Sequence, residues 1–173
     1  MKKIQLYILL AMAGLAINAC RPEAHKELGE AMMATTSLSG TWKLSKVIQT
    51  DEDAKNKGFT YDAVNVQQMD ITNVFPYSDY LLTFNMEGNA PTTFTAVPGN
   101  APKIISLTSG KWLLDDPNYP KVISMVNGTD TARITLGSYP MGQTPVLKVR
   151  QERRDATTGK LLISYSYEFT KQQ

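Results

Sequence analysis

From residue 38 onward, apolar and polar positions alternate with a period of two. Tyr80, Leu82, Phe84 and Met86 share one side of the pattern, with Thr83 and Asn85 opposite. Ala132, Ile134 and Leu136 alternate with Arg133 and Thr135, and Leu147 and Val149 with Lys148 and Arg150. Ile163, Tyr165, Tyr167 and Phe169 alternate with Ser164, Ser166 and Glu168. One apolar face and one wet face is the pattern of antiparallel sheet, and no helical period competes with it. The breaks carry turn chemistry: "EGNAP" at 87–91, "PGNAP" at 98–102, "DDPNYP" at 115–120, "NGTD" at 127–130, "GSYPMGQTP" at 137–145 and "RDATTG" at 154–159.

These breaks leave eight strands, at about 40–50, 79–86, 92–97, 103–114, 121–126, 131–137, 145–152 and 160–170. The alternation slips near Lys46–Val47, where a bulge is expected. Most connections are hairpin-sized. The exception is 51–78, long enough to be functional or separately folded. Eight strands in simple order predict an all-β fold, an eight-stranded antiparallel up-and-down barrel that removes its own edges. A two-sheet β-sandwich is the alternative.

In such a barrel alternate connections cluster at opposite ends. Segment 51–78, with Phe75-Pro76-Tyr77, then lies over one end and both termini lie at the other. The chain's two tryptophans each follow a Ser-Gly-x step, "LSGTW" and "TSGKW". Trp42 stands two residues into the first strand and Trp112 two residues before the end of the fourth. Both are expected at the terminus-bearing end as a floor, with Gly40 and Gly110 admitting the large rings.

The chain opens "MKKIQLYILLAMAGLAINAC". Two lysines precede 16 uncharged, mostly apolar residues, Ile4 to Ala19, too few to span a bilayer and ending in small side chains. This reads as an export signal over 1–19. Ile17-Asn18-Ala19-Cys20 resembles the bacterial lipobox, which implies cleavage before Cys20 and its acylation, palmitate included. Residues 20–37 are polar, hold Pro22, Gly29 and the sole histidine, His25, and are expected to be a tether; the barrel domain is set at 38–173.

Composition changes little except in what it excludes. The chain carries 18 Lys and Arg against 16 Asp and Glu. Without Lys2 and Lys3 the balance is zero, so nucleic acid is not an expected partner. Lys148, Arg150, Arg153 and Arg154 read as a solvated strand face. The single cysteine forms no intramolecular disulfide. No catalytic residue is assigned: with one histidine and one cysteine, both ahead of the barrel, Ser-His, Cys-His and zinc arrangements lack their members. No cofactor or metal is expected. Asp115-Asp116 could in principle bind calcium, but Asp in such a turn is more simply explained by local backbone bonds. Asp51-Glu52-Asp53 reads as a solvated loop start. Asp130-Thr131-Ala132 resembles a short O-glycosylation site, with Thr131 as acceptor.

Gly40-x-Trp42 at the start of the first strand, followed by a long first loop, resembles the lipocalins. "LSGTWKLSKV", "LTSGKW" and the closing "YSYEFTK" are similar to the lipocalin-like lipoproteins of the Bacteroidetes type. The resemblance covers about 38–173 and implies a lipocalin-like barrel, anchored to the outer membrane by the lipid at Cys20. Which membrane face carries it stays open, since only Glu23 supplies acid just after the cysteine. Lipocalins place an arginine near the end of the last strand, stacked on the first tryptophan. The last strand here has none, and Lys171 is the cation in position to replace it.

Two functions suit this frame. The first is a calyx that binds a small apolar or amphipathic ligand, lined by Leu82, Phe84, Tyr165 and Tyr167 beneath Phe75 and Tyr77. The second is a structural or interaction module with a plugged barrel. It would meet an envelope protein or glycan through 51–78 and the pairs Phe75-Pro76, Tyr119-Pro120 and Tyr139-Pro140.

Overall fold

The computed structural model describes residues 34–58 and 67–172. The expected signal, Cys20 and most of the tether lie outside the described residues. The elements run α1 (Ala34–Ser37), β1 (Gly40–Asp51), α2 (Glu52–Asn56), β2 (Gln68–Asp70), a 3-10 turn (Tyr77–Asp79), β3 (Leu81–Glu87), β4 (Ala90–Val97), β5 (Ser109–Leu114), β6 (Val122–Asn127), β7 (Asp130–Ser138), β8 (Val146–Arg154) and β9 (Leu161–Lys171).

From β3 to β9 each strand pairs antiparallel with the next, and β9 returns to β1, from Trp42 opposite Lys171 to Asp51 opposite Ile163. That last ladder closes the sheet, so the fold is the barrel and not the sandwich. The alternating apolar positions explain the closure. Trp42, Leu44, Leu82, Phe84, Phe94, Trp112, Ile123, Met125, Ile134, Leu147 and Phe169 all turn inward into one buried cluster.

β1 is the strand that does two things. Its first residues, Gly40–Lys43, pair with β3, while Ile48–Thr50 pair with β2, a ninth strand absent from the eight expected. Between them the return path of the long connection seals the wall. The Ile71 amide donates to the Val47 carbonyl, the Val47 amide to Thr72 Oγ1 and the Leu44 amide to the Tyr80 carbonyl, each at 3.0 Å. The bulge falls between Leu44 and Lys46, one step earlier than the alternation suggests.

Two boundaries need correction. The fourth strand begins at Ser109, not 103. Ile104, Ile105 and Leu107 look like strand because they are apolar. They are apolar because the loop 98–108 drops them against the core. At the opposite end, α1 belongs to the barrel rather than to a tether ending at 37. Thr35 is buried with its hydroxyl donating to the Pro117 carbonyl, and Leu38 is fully buried beneath Trp42, whose Nε1–H donates to the Leu38 carbonyl at 2.8 Å.

Candidate functional site

The register of β1, β9 and β8 orders the inner wall into rows. At the rim stand Asp51, Ile163 and Arg153. One step down are Gln49, Tyr165 and Gln151; below them Val47, Tyr167 and Val149; at the base Leu44, Phe169 and Leu147. Polarity therefore falls with depth, from charge to amide and phenol to hydrocarbon. Burial follows it. The base row and the aromatic layer beside it are sealed, whereas Gln49, Ile163, Tyr165 and Gln151 keep part of their surface open.

Two other segments complete this upper end. The 3-10 turn brings the Tyr77 phenol within electrostatic reach of Tyr165 and Tyr167. The 98–108 loop reaches over from the other side, where the Gln151 side chain donates to the Ile104 carbonyl at 2.9 Å. Tyr165 and Tyr167 stack at 6.1 Å between ring centroids and 18° between planes. Burial raises the Tyr77 phenol above its ordinary range, with a smaller push from Tyr165. It raises Tyr167 likewise, with Tyr77, Tyr165 and Tyr80 adding to the effect. Tyr80 is pushed up to about 12 by burial, against the backbone of Ile105. Its oxygen is the one buried side-chain polar atom without a hydrogen bond among the described residues. These phenols stay protonated, and each keeps an O–H to donate.

The six ligand-lining candidates therefore separate. Tyr77, Tyr165 and Tyr167 meet at the upper end. Leu82 and Phe84 lie in the packed layer below, Phe84 at 4.7 Å from the Trp112 ring. Phe75 stands outside the wall, half exposed, with its ring edge-on to Tyr77 at 5.8 Å. The aromatic-Pro pairs separate too. Tyr139 Oη donates to the Pro120 carbonyl at 2.9 Å, joining two loops at the α1 end, while Phe75-Pro76 belongs to the β1–β3 connection.

Trp42 and Trp112 are fully buried near the α1 end, on strands three steps apart around the wall. Gly40, Phe84, Phe94 and Gly110 lie opposite one another along one row of β1, β3, β4 and β5. Trp112 donates its Nε1–H to the Asn85 carbonyl at 2.7 Å, freed by the register shift between Phe84 and Met86. Lys171 Nζ sits 5.5 Å above the Trp42 ring, in the arginine's place.

Asp115 and Asp116 spend their oxygens on backbone amides. Asp115 Oδ1 accepts from Asp116, Lys121 and Val122, and Asp116 Oδ1 from Asn118 and Tyr119. Three of the four basic residues on β8 are paired, while Arg153 belongs to the rim row. Lys148 meets Glu168 at 2.8 Å, Arg150 meets Glu52 at 2.6 Å and Arg154 meets Glu152 at 2.6 Å. Glu52 corrects the view of 51–53 as a solvated start. It is buried on the outside of β9 and also accepts from Ser164 Oγ at 2.5 Å. Thr131 is exposed beside the β6–β7 turn.

A closed antiparallel barrel of eight strands with one added strand, shut at one end and polar at the rim of the other, is a lipocalin-like barrel. Residues 21–170 match the family described as Domain of unknown function (DUF5004), and the chain belongs to that family. No curated protein matches the chain.

Proposed function

We propose that the protein is an outer-membrane lipoprotein, anchored through acylated Cys20, whose barrel receives one small amphipathic molecule at its upper end. The observation that carries this reading is the descending polarity of the rows from Asp51, Ile163 and Arg153 to Val47, Tyr167 and Val149. A molecule with a polar end and an apolar body fits that gradient in one orientation, apolar end down. It acts as a binder rather than an enzyme, since the chain's one histidine and one cysteine precede the barrel. The site is shallow, because the rings of Trp42, Phe84, Phe94 and Trp112 fill the interior beneath it.

Titrating the full-length protein with a polarity-sensitive neutral dye such as Nile red tests this. One saturable site with blue-shifted emission is expected, lost in the Tyr165→Ala/Tyr167→Ala double variant. A non-saturating signal, or one the double variant keeps, overturns the calyx. The anchor has its own test. One acyl chain holds a protein only marginally, at about 0.8 kcal/mol per buried methylene, and several hold it firmly. Cys20→Ala should therefore release the protein from membranes washed in high salt. Retention of the variant refutes the lipid assignment.

A second reading, contact with an envelope protein or glycan, is favoured by the outside of the β1–β3 connection. Val74 and Phe75 are exposed there beside an open cleft of about 520 Å³ that Ser45, Thr72 and Asn73 also line.

A further inference from the structure

We infer that the end of the barrel bearing α1 rests on the bilayer itself, with Tyr119 and Met141 set into the lipid headgroup layer. This contact presupposes the Cys20 anchor proposed above and adds a second, non-covalent hold to it.

Chain connectivity decides which end faces the lipid. The segment from Cys20 joins the barrel at α1, and α1 is fixed there by the Thr35 hydroxyl on the Pro117 carbonyl and by Leu38 beneath Trp42. Thirteen residues lie between Cys20 and Ala34, and a chain of that length spans at most about 50 Å. Loops at this end therefore meet the bilayer in an intramolecular encounter, in which even a weak apolar contact is populated.

Two loops at this end carry the side chains for it. Residues 115–121 connect β5 to β6, and 139–145 connect β7 to β8. They hold Tyr119, 73% exposed, and Met141, 62% exposed, the two most exposed large apolar side chains among the described residues. A lone exposed apolar side chain is ordinary. These two stand on neighbouring loops, joined by the Tyr139 hydroxyl donating to the Pro120 carbonyl at 2.9 Å. The backbone around Tyr119 is held although its ring is bare. Asp116 Oδ1 accepts from the Asn118 and Tyr119 amides, and Asp115 Oδ1 from those of Lys121 and Val122. Little conformational freedom is left for Tyr119 to lose on docking.

Charge separates the two ends. Residues 139–145 carry none, and the other loop with the end of β9 sets Lys121 and Lys171 against Asp115 and Asp116. The opposite end carries Glu52, Asp53 and Lys55 on α2, with Arg153, Arg154, Asp155 and Lys160 around the β8–β9 turn. The headgroup layer favours tyrosine and apolar side chains over charged ones. With cations and carboxylates in balance, the contact is insertion and not attraction to anionic lipid.

An NBD label on one introduced thiol tests this, in full-length acylated protein reconstituted into vesicles of phosphatidylcholine and phosphatidylethanolamine. Cys20 is the chain's one cysteine, so once it is acylated Asn118→Cys, Gln143→Cys and, at the opposite end, Thr157→Cys each offer a single free thiol. Emission from the Asn118→Cys and Gln143→Cys labels should be blue-shifted relative to Thr157→Cys and quenched by spin-labelled headgroups, and high salt should change neither effect. Adding Tyr119→Ser/Met141→Ser should remove both. If all three labels behave alike while the protein floats with the vesicles, the docking is overturned and the anchor stands. If the protein does not float with the vesicles, the anchor falls and the docking with it. Labels that shift in native envelopes but not on vesicles give this face to an envelope protein and overturn the lipid contact.

Discussion

Gly110→Ala should cost the barrel about 4 kcal/mol, a large part of the roughly 5–15 kcal/mol that holds a domain folded. Two effects add. Gly110 has φ +151°, a region in which residues with a side chain are strained. A Cβ built there would lie 2.2 Å from the Val126 carbonyl oxygen on β6, and that oxygen belongs to backbone that cannot rotate away. Gly110 faces Phe94 on β4 and is two residues from Trp112, so any shift of β5 disturbs the largest rings of the core. Gly128→Ala is the matched comparison. That glycine also has positive φ, +60°, but no atom lies within 4 Å of its added Cβ. Its cost should stay near 1–2 kcal/mol, about the intrinsic penalty of a left-handed residue. Urea unfolding followed by tryptophan emission reads both. If the two variants unfold at the same denaturant concentration, close packing at Gly110 is not what the second Ser-Gly-x-Trp serves.

Wherever one local pattern decided the structure, that pattern was legible in the chain. The strand faces follow from alternation because half-buried antiparallel sheet demands it, and the place of Lys171 over Trp42 follows from the resemblance plus the absence of another cation. What stayed hidden depends on closure. Gln49 and Gln151 continue the inward phase of Val47 and Val149, but a glutamine in an alternating strand reads as a break toward solvent. The β8–β9 hairpin sets Gln151 beside Tyr165, but only the β1–β9 ladder, which joins residues more than a hundred positions apart, brings Gln49 to the same row. β2 escaped because Gln68, Met69 and Asp70 are all exposed and so carry no alternation. Ile104 and Ile105 misled in the opposite sense, since burial by a loop leaves the same apolar trace as burial by a sheet. Glu52 is the clearest case. Its neighbours in sequence are charged and its setting is a loop start, while its partners Ser164 and Arg150 arrive from 112 and 98 residues away.

Those partners make Glu52 the second site of large expected effect. Its carboxylate is buried outside β9, accepting from Ser164 Oγ at 2.5 Å and from Arg150 at 2.6 Å. Removing one member of a buried pair costs about 3–5 kcal/mol. Arg150 is 37% exposed and keeps a 3.4 Å contact to Glu152, so solvent recovers part of that. Glu52→Ala should therefore destabilise by about 2–3 kcal/mol, and Glu52→Gln, which can still accept from both donors, by about 1 kcal/mol. The acid dependence has a definite sign. The Ser164 hydrogen bond lowers the Glu52 pKa below its ordinary 4.5; burial opposes this and Arg150 assists it. A lowered folded value means the stabilisation is complete above pH 4.5 and is lost as pH falls through the folded value. Wild type and Glu52→Gln should thus differ most at pH 7 and converge toward pH 3, and a gap that stays constant would remove Glu52 from the acid response. Asp53, held down to about 2 by Lys160 and Lys57, ties the same short helix to the β8–β9 turn, but in solvent, where salt screens it. Helix α2 opens the connection that brings Tyr77 to the rim, and Ser164 is the outward neighbour of Tyr165 on the same strand. A carboxylate outside the wall thus ties the start of that connection to the strand that carries Tyr165. Nile red binding should accordingly weaken in acid over the same range in which the wild type loses its advantage over Glu52→Gln.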